Sequence, residues 1–190
     1  MGEIKSSLEL ALERTKGLKI SEKEREEIKR KEIVQKAEAL AHRYREGSIT
    51  IKEIQKEMER MEKKRATEIE NHLIDHWIQG LSLNLRDERI LDGIEALRKE
   101  PMDEIKREFL NLIVSYQEEK ENTKRKLRTI ILEGLKKEGF NGSAIEPCIE
   151  SSPLWDKESL RIDQSYQEGL EKLKERLRDQ AIGKDNNSAE

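Results

Sequence analysis

Cysteine, proline and aromatic residues are nearly missing from this chain of 190 residues, and each scarcity excludes something. Cys148 is the only cysteine, so no intramolecular disulfide can form and nothing points to an oxidising compartment. The three prolines are Pro101, Pro147 and Pro153, which leaves the first hundred residues without a helix breaker. Aromatic residues make up only 4% of the chain, too few for the stacking platforms that single-strand nucleic-acid binders use. No apolar run approaches the ~18 residues of a membrane span. The opening MGEIKSSLELALERTKG mixes both charges and lacks the apolar core of a secretory leader, so a cytoplasmic protein is expected. Charge of one sign is also lacking. Against 41 acidic residues stand 38 basic ones, and a net charge of −3 gives no bulk steering toward nucleic acid or anionic lipid.

What is abundant is charge of both signs. Asp, Glu, Lys and Arg make up 42% of the chain, against about 25% in average domains. Disorder favours low hydrophobicity with high net charge. Here the net charge is small, and the apolar residues recur at helical spacing without the alternation of a strand. The pattern predicts an all-α fold: an extended helical bundle of about six helices with a long antiparallel, coiled-coil-like hairpin.

The first predicted helix covers 3–16, with Ile4, Leu8, Ala11 and Leu12 on one face. The second opens on a capping box, Ser21 with Glu24, and stops at Gly47. The third opens near Thr50 and Glu53 and runs unbroken through Trp77 to Leu85. A short fourth covers 87–99, and the fifth runs from Pro101, a good first-turn residue, to Gly139. Residues 139–155, GFNGSAIEPCIESSPLW, read as a structured loop bracketed by Phe140 and Trp155, which suggests that it packs. Ser152 and Pro153 then cap the sixth helix, and 183–190 read as a disordered tail.

The two long helices each have a gap in the apolar stripe, at 62–68 and at 117–126. An antiparallel pairing of those helices sets one gap opposite the other. The expectation is a single extended domain over 1–182 shaped as a dumbbell. Its base lobe is 1–58 with 128–182, its polar stem 59–70 with 116–127, and its tip lobe 71–115. Lys120 then falls on an exposed stem and Trp77 in the tip.

Candidate chemistry is sparse. His72, Asp75 and His76 form HLIDH on a predicted helix, and histidines four apart share a face that can hold zinc. The string is similar to the H-x-x-E-H zinc-peptidase motif, with the shorter Asp in place of Glu. No third ligand is evident, so these are weak candidates and the expected metal set is none. Cys148 lies between Glu146 and Glu150, which disfavour a thiolate nucleophile. The basic run Lys124, Arg125, Lys126 and Arg128 follows Glu118, Glu119 and Glu121, as on a solvated helix face. The loop GFNGSAIEPCIE and the opening MGEIKSSLELALERTKGL together resemble a group of small helical bacterial proteins. That resemblance implies no assigned function and carries over no catalytic residue. The resulting expectation is a non-catalytic scaffold or adaptor that binds another protein, with a possible homo-oligomer, no cofactor and no nucleic acid. A metal-dependent hydrolase using His72, Asp75 and His76 is the alternative, and a nucleic-acid-associated helical protein comes third.

Overall fold

Side-chain capping sets where several of the helices begin. The computed structural model describes residues 21–84, 87–140, 142 and 146–182. The expected helix over 3–16, the expected tail at 183–190 and Leu85 lie outside these. Among the described residues there are six α-helices and no strand: α1 Glu22–Arg45, α2 Ile51–Glu59, α3 Lys63–Gln79, α4 Glu88–Arg98, α5 Asp103–Lys137 and α6 Pro153–Ala181, with a 3-10 turn at Ile149–Ser151. No helix among them is long and apolar enough to cross a membrane.

The Ser21 hydroxyl accepts the Glu24 N–H, and the Glu24 carboxylate accepts the Ser21 N–H at 2.8 Å. Thr50 and Glu53 repeat this reciprocal box at the start of α2, and Ser152 with Pro153 opens α6. The boxes hold the Glu24 and Glu53 carboxyls below the usual range, chiefly through the backbone hydrogen bonds that Ser21 and Thr50 donate. Gly47 and Gly139 end α1 and α5 with φ of 79° and 93°. Each donates back to the helix, and so does the residue after it, in the two-bond pattern that closes a helix on a left-handed residue.

Three expected boundaries are corrected. The single helix over 50–85 is two, α2 and α3, broken at Arg60–Glu62 without proline or glycine. Both halves touch α4, whereas it is α3 that lies along α1 and touches α6. One straight rod cannot bury Ile54 and Met58 as well as Ile69 and Leu73 against all three neighbours. α3 then stops at Gln79, so Leu81 is buried from the following segment rather than from the helix. Pro101 precedes α5 by two residues, because Met102 takes the cap position with its side chain 1% exposed in the core.

The long antiparallel hairpin is present, but it is formed by α5 and α6. Glu108 meets Arg176 and, eight residues further along α5, Tyr116 meets Asp163, so the two helices run in opposite directions. α5 has 35 residues, or ~52 Å of helix.

Separate base and tip lobes do not form. Residues expected in both share one core, in which Trp77 of α3 packs against Tyr44 of α1 at 4.8 Å between ring centres and donates from Nε1 to the Ala41 carbonyl. The expected stem is likewise re-paired. Residues near 62–68 lie against α1, with Arg65 on Glu32 at 3.2 Å, while 117–126 lie against α6 and the loop before it. Cations from two other helices satisfy the carbonyl end of α3. Arg45 donates to the Gly80 carbonyl at 2.7 Å, and Lys174, 7% exposed, donates to the Gln79 carbonyl.

The gap at 117–126 is a polar joint between two apolar clusters. On one side lies the main core, ending at Tyr116. On the other lies a small cluster of Leu127, Ile149 and Trp155 with Ile131 against it. Lys120 is only 23% exposed, contrary to the exposed stem position expected of it. Its Nζ sits 2.8 Å from Asp163 and 4.8 Å from the Tyr116 ring centre. Lys120→Ala should therefore lose about 1 kcal/mol by denaturant unfolding, whereas Lys126→Ala, on the open face, should stay within about ±0.5 kcal/mol.

The joint also carries a pH signature. Burial pushes the Asp163 carboxyl up, but hydrogen bonds from Lys120 and Tyr116 outweigh it and hold the group below the ordinary aspartate value. A carboxyl held low contributes stability above its unfolded value near ~4, and that stability is lost as pH falls through the lower folded value. Asp163→Asn should be less stable than the native chain at pH 7, with the difference shrinking below about pH 4. Urea unfolding across pH reads this, and a difference that stays constant into acid would contradict it.

Candidate interaction surface at the end of the helical arm

Among the described residues, the α5–α6 register leaves the end of α5 without a helical neighbour. By the pairing of Tyr116 with Asp163, the first residue of α6 lies opposite the turn near Leu127. The last turns of α5 outrun α6, and the returning segment 146–152 covers only one side of them. Leu127, Ile149 and Trp155 are buried on that side. Ile130 faces away, 55% exposed, although it adjoins the half-buried Ile131. Phe140 is fixed by its N–H to the Leu135 carbonyl at 3.0 Å and is still 58% exposed. Leu154, in the first turn of α6, is 49% exposed. Of the two aromatics expected to pin the loop, Trp155 packs and Phe140 does not.

The basic run sits on this arm, and two of its four residues are engaged in ion pairs. Lys124 Nζ lies 2.9 Å from Glu150 and 5.2 Å from the Trp155 ring centre. The Glu150 hydrogen bond holds the Lys124 ammonium above its usual range. Arg128 pairs with Glu146 at 3.1 Å. Arg125 and Lys126 stand exposed. Cys148 is exposed on the returning segment, its Sγ 3.2 Å from the Ser151 hydroxyl.

The HLIDH triad does not come together. His72 and His76 are both exposed on α3, while Asp75 turns toward α6, where its carboxylate accepts from Arg178 Nε at 2.8 Å and from the Gln79 amide. Among the described residues no group of three or more His, Cys, Asp or Glu is placed to hold a metal ion. Purified protein should carry no stoichiometric zinc; elemental analysis finding one zinc per chain, lost in His76→Ala, would reverse this.

No protein-family model, no curated protein and no solved structure matches this chain. The remaining concavities are open clefts with charged walls. One of about 500 Å³ lies between the first turns of α1 and the start of α3, lined by Glu26, Arg30, Lys64 and Glu68 among others. Another, of about 560 Å³, lies in the α5–α6 groove beside Tyr166 and Gly169. Neither gathers converging polar groups on an apolar floor, the usual mark of a small-molecule site.

Proposed function

We propose that this chain is a non-catalytic scaffold or adaptor that binds another protein through the outer end of the α5–α6 arm. The observation that carries the reading is the exposure of Ile130, Phe140 and Leu154 around a cluster of only three buried residues. Scattered exposed apolar residues are normal. Here three large ones lie toward one end of a projecting hairpin, two of them held on helices and one by a helix-closing turn, so each is presented in a fixed position. Exposed apolar groups presented this way favour association.

A photo-crosslinking side chain at Ile130 or Leu154, introduced in the native cell, should give discrete protein adducts. The same group at Glu168, exposed on α6, should not, and Phe140→Asp should weaken the adducts at Ile130. Identical adduct patterns at all three positions, or none at any, would overturn the reading.

A further inference from the structure

We infer that the partner of the arm end is a second copy of this chain, docked antiparallel through α5 about a two-fold axis at Ile130. The inference rests on the proposal that the arm end binds protein, and it identifies that protein.

The exposed face of outer α5 carries Asn122, Lys126, Ile130, Glu133, Gly134 and Lys137, which helical spacing sets along one side. Among the described residues, none of the three charged ones makes an ion pair within the chain beyond this helix. The face therefore offers two cations and one anion around a central exposed isoleucine. Reversing a copy about Ile130 brings Ile130 against its own symmetry mate. Lys126 then faces the reversed copy's Glu133, and the two-fold axis repeats that ion pair. On the same flank Lys137 faces the reversed copy's Asn122, whose amide oxygen accepts hydrogen bonds from an ammonium. A parallel pairing would instead set Lys126, Glu133 and Lys137 each against its own kind, which costs free energy. An isologous contact requires self-complementarity, and on this face only the reversed direction supplies it.

Gly134 is the second observation. A glycine inside an exposed helix costs roughly 1 kcal/mol relative to alanine. A Cβ at Gly134 would meet nothing within 4 Å, so no packing inside the chain calls for its smallness. In the reversed pairing Gly134 stands level with Lys126 of the other copy, and the missing side chain lets the two helices approach there. A contact confined to one helix pair is smaller than standard stable interfaces. The association is therefore weak, concentration-dependent and weakened by salt, because its flank is ionic and exposed.

The test uses the full chain with Cys148→Ser. Ile130→Cys should form an interchain disulfide under mild oxidation, because the axis sets it against itself. Lys126→Cys alone should cross-link at least tenfold more slowly, whereas Lys126→Cys mixed with Glu133→Cys should recover a fast rate. In sedimentation velocity without introduced cysteines, Lys126→Glu and Glu133→Lys should each self-associate more weakly than the native face. Their equimolar mixture should associate again, because both ion pairs are restored with one of them inverted. All of these positions are exposed, so folding is not at stake. Equal cross-linking rates at Ile130 and Lys126, or no recovery on mixing, would overturn the antiparallel register. A monomer at every concentration, with arm-end adducts to a different protein, would overturn the second copy and leave the binding role standing. A monomer with no adducts would remove both.

Discussion

Trp77→Ala should lose roughly 3–5 kcal/mol of unfolding free energy, the range for emptying a well-packed aromatic site. Trp77 is 2% exposed at the point where α1, α3 and α4 converge. Its indole packs tilted against Tyr44 with an interplanar angle of 43°, its Nε1 donates to Ala41 at 3.4 Å, and its ring edge lies against Gly93. Removing it leaves a void bounded by three helices, none of which can collapse without abandoning its other contacts. Urea unfolding measures the loss, and Trp77→Phe should recover more than half of it. A loss below about 1 kcal/mol would mean that the core centres elsewhere.

Gly93→Ala sets two effects against each other, and their sizes decide the sign. Gly93 lies inside α4, where alanine is favoured by about 1 kcal/mol. A Cβ there would sit 2.9 Å from the Tyr44 ring and 3.0 Å from the Trp77 ring. Both rings are held: Arg89 lies over Tyr44 at 4.7 Å, the Tyr44 hydroxyl donates to the Arg89 carbonyl, and Trp77 Nε1 donates to the Ala41 carbonyl. Overpacking of this kind costs typically 1–3 kcal/mol. With a Cβ this close to two rings the clash belongs in the upper part of that range, so it should win, with a net loss of about 1–2 kcal/mol. Gly134→Ala, with open space around its Cβ, should be neutral or stabilising in the isolated monomer. If Gly93→Ala were equally neutral, the close approach of α4 to the rings would be wrong.

Local chemistry was legible in the sequence, and partner choice was not. Ser21 with Glu24, Thr50 with Glu53, and Ser152 with Pro153 announce helix starts because the capping groups lie within three residues of one another. Gly47 and Gly139 announce ends for the same reason. The break at Arg60–Glu62 has no such mark, since it is imposed by the different destinations of Ile54 and Ile69. The gaps at 62–68 and 117–126 were visible, but any charged face can oppose any other. Only the three-dimensional packing shows that Lys120 meets Asp163 on α6 rather than a residue of α3. Lys174 and Arg45, which satisfy the end of α3, look like ordinary surface cations in the sequence.

The candidate surface was legible only in part. Ile130 and Ile131 are adjacent, so one must face each side of the helix, yet nothing local says which side is covered. The one available signal was Gly134, a glycine inside a strongly helical stretch with no turn beside it. Phe140 and Trp155 bracket the loop symmetrically in sequence, but only Trp155 belongs to a helix that packs on α5.

The polar joint at 117–126 has a consequence for how this molecule tolerates change. The buried layers of the main core stop at Tyr116 and resume only at Leu127, so the outer cluster contributes little to the cooperative unit that decides whether the chain folds. Substitutions at 128–140 can remodel what the arm presents without an appreciable cost to the rest, whereas the same freedom at 69–81 would destroy it. Under the proposed binding role, the arm end is a module on a fixed base whose partner surface substitutions could change while the rest of the fold stays as it is.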